Sequence, residues 1–424
     1  MVTLRSQWRE FLAGGSPDVY RILLHGMLFG MAFSISDMLF NFYLQSLGYD
    51  NAVAGQMQSV FRLAGVMFGV PIGMVIDRVG AQRMLYIGIS TYALCWLGLL
   101  LIGDAPLVTP FGSLSSLTMI SIVYFVIGAA NMTTYTAVVP LLSTIIEPQQ
   151  RAAMFGINAA ASTMIGFVGS IFAGLLPSWV GYIVGVDATS ETAYRTALYC
   201  VSIFGILAII PLSGVKRAQK SQPAPTTSTE PVVTAVPTRL PFTRLLLFAA
   251  PSMFFGIAGG MFIPFQNLYF RQEFNANDGL VGLSIALGSL AMGIGSIMGG
   301  PLSKRMGVRR ATALSRFMAA PMMFLMLIPQ FYVVSAAYDL NRALVGLTFP
   351  LFSALVMQSV PLQQRGTATS MSSMTWSLGW AGSAILSGYM QQSSGFSVVV
   401  IISGISYMIS ALLVQFIPYT DKLD

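Results

Sequence analysis

Twelve times along this sequence, about 20 mostly apolar residues follow one another, the length a helix needs to cross a bilayer. The runs fall at roughly 20–44, 52–74, 82–102, 116–144, 153–176 and 195–214, and again at 243–270, 280–302, 311–329, 331–358, 367–390 and 396–418. A segment surrounded by lipid must satisfy its own backbone hydrogen bonds, which a helix does without a partner. The expected fold class is therefore an all-α polytopic membrane protein with twelve transmembrane helices. Composition agrees: 55% of the 424 residues are apolar and 9% are charged, against about 25% charged in soluble proteins. Surface-to-volume scaling leaves a soluble chain of this length no way to hide so much apolar surface.

Between the sixth and seventh runs lies VKRAQKSQPAPTTSTEPVVTAVPTRLP, rich in Pro, Thr and Ser, which reads as a flexible linker. The expected layout is a tail at 1–19, six helices over 20–214, a linker at 215–241, six helices over 242–418 and a tail at 419–424. The start, MVTLRSQWREFLAGGSPDVYR, is polar and basic and lacks the short apolar core and cleavage site of a signal peptide, so the first helix is expected to be retained.

The net charge of +7 is concentrated in alternate loops. Arg78, Arg83, Arg151, Lys216, Arg217, Lys220, Arg239, Lys304, Arg305, Arg309, Arg310 and Arg365 fall on one side, and little beyond Arg195 and Arg271 on the other. This distribution marks topology and not a nucleic-acid surface. The positive-inside rule puts both termini and the linker in the cytoplasm and the chain in the inner (plasma) membrane.

The second half repeats the first. Gly73-Met-Val-Ile-Asp77-Arg78-Val-Gly80-Ala-Gln-Arg83 after the second helix is matched by Gly300-Pro-Leu-Ser-Lys304-Arg305-Met-Gly307-Val-Arg309-Arg310 after the eighth, at an offset of 227 positions (73 to 300, 83 to 310). Pro-Gln-Gln-Arg151 is echoed by Leu-Gln-Gln-Arg365, and Asn41-Phe-Tyr43-Leu by Asn267-Leu-Tyr269-Phe. Motifs recurring in one order identify two homologous units. The longer segment between the third and fourth helices, GDAPLVTPFGSLSS, accounts for the changed offset of the second pair.

The GxxxDRxGxxR loop, its copy half a chain later and the six-plus-six layout with a linker resemble the major facilitator superfamily over essentially the whole chain. The resemblance implies two pseudo-symmetric six-helix bundles rocking about a central site near the bilayer midplane, with the first, fourth, seventh and tenth helices lining the cavity, and a monomer. Within the loop, Gly73 would let two helices pack closely and Gly80 would allow a tight turn. Asp77 would face the positive N-terminal end of the eleventh helix. With Arg78, Arg83, Arg151, Arg305, Arg310 and Arg365 it would form a latch on the basic side. Lys304 stands where the first copy has Asp77. The fifth helix reads GFVGSIFAGLLP, with glycines at helix-packing spacing but without the Gly-Pro element that drug–proton antiporters of this superfamily carry.

Ionisable groups at membrane depth are costly and mark function by default. Asp37 in the first helix is the candidate for proton coupling, because a carboxyl group that alternates between surroundings can load and release a proton. Asn41 and Gln45 follow at i+4 and i+8 and form a polar stripe with it. Asp339 and Arg342, at i and i+3, can pair with each other; alternatively Asp339 carries the proton, and Arg342 binds an anionic substrate group or exchanges partners with Asp37. Arg62 can serve as an anion site too. Arg316 is placed to reach the basic surface. The remaining cavity candidates are Asn131, Thr134, Tyr135, Gln266, Asn267, Tyr269, Tyr338, Asn341, Trp376 and Trp380. The single histidine, His25, reads as a helix-end residue, and Cys95 and Cys200 as packing residues.

No cluster offers metal-ligand spacing and no P-loop is present, so neither a metal, a cofactor nor ATP-driven pumping is expected. The reading is secondary active transport of a small organic solute by alternating access, proton-coupled, with efflux ahead of uptake. Its expected partners are the solute, protons and the lipid bilayer. The alternatives are a translocase for a lipid or other amphiphile, suited by the aromatic and Met-rich interior, and a membrane-embedded enzyme, for which no catalytic constellation is visible.

Overall fold

The computed structural model describes residues 17–102, 107–109, 112–145, 151–215, 242–360 and 364–417. The N-terminal tail through residue 16, nearly all of the linker and the last seven residues lie outside the described residues. The first six helices are α1 (Pro17–Ser46), α2 (Asn51–Val79), α3 (Ala81–Leu100), α4 (Ser116–Ile145), α5 (Arg151–Val184) and α6 (Glu191–Leu207), the last prolonged by a short helix at Ile209–Ser213. In the second half, α7 runs from Phe242 to Phe262, through a 3-10 turn at Ile263–Phe265, and on from Gln266 to Phe274. Next come α8 (Asp278–Met306), α9 (Val308–Leu325) and α10 (Phe331–Ser359). The final run, Arg365–Val414, is broken at Gly395 (φ 70°, ψ −173°) into α11 (365–394) and α12 (396–414).

Nine of these runs are long and apolar enough to cross a membrane, and α2 makes ten although it bends by 54° at Pro71. A proline cannot complete the helical ladder, so the bend falls where its ring sits. The α11–α12 run counts once among the ten; α9, with Arg309, Arg310 and Arg316 in 18 residues, completes twelve. Within the segment joining α3 to α4, strands Leu107–Thr109 and Gly112–Leu114 pair antiparallel, a small hairpin where the sequence shows only a longer connection.

The repeat extends to backbone torsions. Gly80 (φ 98°) starts the turn into α3 and Gly307 (φ 80°) the turn into α9. Gly48 (φ 84°) and Asn275 (φ 49°) are the left-handed residues that end α1 and α7. Two positions after each, Asp50 and Asn277 cap the next helix by accepting from the N–H of Val53 and of Leu280, supplying an acceptor to a helix end that lacks one. Each pair stands 227 positions apart, the offset of the loop motif, so the bundles repeat in conformation as well as in residue type.

The bundles meet along α2–α11 and α5–α8. Glycine permits the approach: a side chain at Gly55 would strike the Ala384 carbonyl, and one at Gly282, its counterpart, would lie 2.6 Å from the Ser170 carbonyl. Backbones this close are how helices gain contact in lipid, where no hydrophobic force drives them together. The glycines of α5 act as their spacing suggests, Gly169 lying on Ser34 of α1 and Gly174 on Gly282 of α8.

Candidate functional site

Between the bundles lies a cavity of ≈ 550 Å3. It reaches from Met38, Pro264 and Gln266 at mid-depth to Gly26, Asn158 and Ser296, toward the face that carries Arg78, Arg83, Lys304 and Arg305. A second space of ≈ 390 Å3 adjoins it and shares Arg62, Phe255, Phe349 and Trp376. The wall is broader than the expected four helices: α2, α5, α8 and α11 contribute as well as α1, α4, α7 and α10.

Asp37 stands in this cavity with its side chain open to it. It makes no hydrogen bond or ion pair with any described residue, and its electrostatic partners are Arg62 and Arg342. The Arg62 guanidinium lies over the faces of Trp380 (4.6 Å) and Trp376 (5.5 Å), where the ring quadrupole attracts a cation. Arg342 touches the Met292 sulfur at 3.0 Å. The Tyr338 hydroxyl donates to Gln266 Oε1 at 2.6 Å. Thr134, Tyr135, Gln266, Tyr338, Arg342, Trp376 and Trp380 thus join Asp37 and Arg62 as sequence candidates lining the main cavity, and Asn131 lines the second space. His25 lines the main cavity too. Its Nδ1 donates to the Ala208 carbonyl at 2.8 Å, since a carbonyl can only accept, and this leaves Nε2 as the free acceptor.

Several expectations are corrected. Asn41 and Asn267 do not line the cavity; they seal its end. Asn41 Nδ2 donates to the Pro264 carbonyl (2.6 Å) and to Asn267 Oδ1 (3.0 Å), and Asn267 Nδ2 donates to the Met38 carbonyl (2.6 Å). Each asparagine therefore reaches the carbonyl three residues before the other, a reciprocal clasp between equivalent positions of the two halves. Gln45 lies beyond the clasp and bonds Asn51. Asn341 is spent on the Ala319 carbonyl, and Tyr269 on that of Met326. Asp339 and Arg342 form no ion pair: Arg342 turns into the cavity, while Asp339 Oδ1 is buried without a partner. Arg316 does not reach the surface. It is 1% exposed, donates to the Pro251 carbonyl and to Ser410 Oγ, and lies between Phe255 and Phe352, with its Nε unpartnered.

Sequence reasoning missed a second closure. Arg271 on α7 pairs with Asp278 on α8, both bond the Tyr194 hydroxyl on α6, and the Arg271 guanidinium lies 3.4 Å from the centre of the Phe42 ring. Further cross-bundle bonds run from Asn51 to Gln272 and Gln391, from Gln56 to Tyr389 and from Ser59 to the Ala381 carbonyl. All lie in the half away from the basic loops. That half is closed, and the basic face is open.

The residues expected to form the latch make no latch contact among the described residues. Asp77, Arg78 and Arg83 are exposed and have no partner among the described residues. Nothing lies within 4 Å of a side chain built on Gly73, so the close packing expected there is absent. Gly80 does make its turn. Arg305 and Arg310 are exposed, Arg365 is partly buried with its Nε unpartnered, and the side chain of Arg151 is outside the described residues.

A two-bundle helical membrane protein with a central cavity that holds charged groups, closed at one end by paired residues from both halves, is built as a transporter. The sequence matches the Major Facilitator Superfamily over residues 22–269 and 248–423, and the chain belongs to that family. It is 22% identical over 375 residues to the uncharacterized MFS-type transporter YceJ of Bacillus subtilis (strain 168), covering 87% of this chain and 88% of that one. Among solved structures it resembles a bacterial homologue of the human lysosomal transporter Spinster in an inward-facing, occupied conformation (TM-score 0.76, 14% identity, 95% of this chain and 97% of that one). It also resembles a bacterial homologue of the iron transporter ferroportin in an inward-facing state (TM-score 0.73, 14% identity, 94% and 98%). At such identities the likeness is one of fold.

Proposed function

We propose that the protein is a secondary active transporter of a small organic solute, working by alternating access in the inner membrane with Asp37 as the proton-carrying group. The observation that carries this reading is a carboxylate standing in a central cavity that is open at one end and clasped at the other. Asp37 is fixed by no hydrogen bond to a described residue, so its proton can exchange with cavity water, and Arg62 and Arg342 are its electrostatic partners. Asp339 lies outside the cavity wall and takes no part in the proposed cycle.

By the positive-inside rule the basic face is cytoplasmic, with both termini on that side, and the conformation described is inward-open. In the alternate state the Gly73–Arg83 loop closes on the start of α11, occupying groups that stand free here. Reconstitution in liposomes holding a pH-sensitive dye, with pooled solutes and an Asp37→Asn variant, tests the coupling. The expected result is solute-dependent proton movement in the parent protein and none in the variant, with Asp339→Asn unaffected. Proton movement that survives Asp37→Asn removes Asp37 from the cycle.

A further inference from the structure

The cavity's charges are unbalanced. One acid, Asp37, faces two guanidiniums, Arg62 and Arg342, which leaves one positive charge uncompensated at mid-depth. Neither guanidinium donates to a carboxylate or a carbonyl, and the Nε of each is buried without a partner. The indole N–H groups of Trp376 and Trp380, on the same wall, are also buried and unpartnered. Four donor side chains therefore line one space. Neutral acceptors line the wall as well, among them Gln58, Asn158 and several hydroxyls, but no lining group besides Asp37 carries a negative charge, and Gln266 Oε1 is taken by Tyr338.

Buried donors and cations without acceptors are costly, and the cost is relieved by an occupant that brings acceptors and a negative charge. Arg316 shows the contrast. Its Nε is unpartnered as well, but its guanidinium donates to the Pro251 carbonyl and to Ser410 Oγ, whereas Arg62 and Arg342 donate to no oxygen of a described residue. The rest of the wall is aromatic, with Phe29, Phe33, Phe255 and Phe349 facing the same space.

The geometry points to an organic monoanion with a flat, largely apolar body as the substrate class, its carboxylate held by Arg62 and Arg342 and its body lying among the aromatic rings. A guanidinium matches a carboxylate in two parallel bonds, and the Arg62 guanidinium already lies over two indole rings, so little freedom is lost on binding. Asp37 repels such an anion until it is protonated or the arginines are both engaged, which places proton and substrate in one electrostatic network. The assignment rests on the transport reading for its meaning, but binding can be measured without transport.

The test is isothermal titration of the purified full chain with matched triplets, each a carboxylate, its primary amide and its amine, on phenyl, naphthyl, indolyl and dodecyl bodies. The expected result is that a carboxylate on an aromatic body binds at least about tenfold tighter than its amide, that the amine does not bind, and that Arg62→Gln and Arg342→Gln each abolish the preference. Asp37→Asn should bind the anion as tightly or more tightly. No carboxylate preference on any body, including no binding at all, overturns the assignment, and the parent protein alone decides this whatever the folding of the variants. A preference confined to the dodecyl body overturns the aromatic part. Anion binding as expected, together with proton movement that survives Asp37→Asn, would sink the coupling role of Asp37 and leave the substrate class standing.

Discussion

Replacing Asn267 by Ala should open the closed face. The clasp has three cross-bundle hydrogen bonds: Asn41 to Pro264, Asn41 to Asn267, and Asn267 to Met38. The substitution removes the last two. At about 1 kcal/mol net for each bond, the closed state loses about 2 kcal/mol, a shift of about 30-fold toward opening. Asn41→Ala removes the first two and should act similarly. The double variant loses three bonds and not four, because one is shared, so the two effects should fall short of additivity by about 1 kcal/mol, as contacting residues do. The assay is thiol labelling of Ser289→Cys, a cavity-wall position, in a background with Cys95 and Cys200 replaced by Ser. A membrane-impermeant reagent applied from the closed side should label each single variant about 30-fold faster than the parent. Unchanged labelling, or strict additivity in the double variant, would refute the clasp as the seal of this face.

Three further outcomes follow from the packing and the charges. Gly295→Ala would drive a methyl group into the Ala343 carbonyl where α8 crosses α10, costing about 1–3 kcal/mol and lowering the melting temperature. Gly73→Ala meets open space in this state and should leave melting unchanged while slowing turnover; equal melting losses for the two would contradict the reading. Tyr194→Phe deletes the hydroxyl that bridges Asp278 and Arg271 and should weaken the closed face by about 1–2 kcal/mol, seen as faster Ser289→Cys labelling from that side. Asp187, in an exposed turn, is held below the usual carboxylate range by hydrogen bonds from the Thr189 hydroxyl and then the Thr189 N–H. Its contribution to the turn is therefore complete above the unfolded value and is lost only as pH falls through the lower folded value. A carbon-13 titration of that carboxyl with a midpoint in the ordinary range or above would contradict it.

Much of this architecture can be read from the chain because lipid imposes strict rules. Apolar runs must be helices, and the loop motif together with its copy announces two units. Asp37, Arg62, Arg342, Trp376 and Trp380 stand out because polar or amphipathic groups at membrane depth need a reason. What could not be read depends on where helices meet. Asn41 and Asn267 have the composition of cavity residues, and only the pseudo-twofold arrangement turns them toward each other. The signal was present in their spacing of 226 positions, within one of the repeat's 227, since equivalent positions close to such an axis are brought into contact. Arg316 and Asp339 carried the same alarm as Asp37, yet the first is bonded to Pro251 and Ser410 from other helices and the second lies off the cavity wall. The Arg271–Asp278–Tyr194 group joins three helices, and no local pattern reports such an arrangement. Gly73 has nothing within 4 Å of its missing side chain, and a neighbour supplied only in another conformation would not be visible in this one.

The central claim is that a single cavity opens to one face at a time. Two spin-label pairs on the full chain test it most directly: Tyr182→Cys with Tyr332→Cys, both highly exposed at the closed end, and Val79→Cys with Lys304→Cys at the open end. Under conditions that drive turnover, the first distance should lengthen as the second shortens, with populations exchanging between the same two states. Distances that change in the same sense at both ends, or that stay fixed at both ends while solute crosses, would contradict alternating access in this protein.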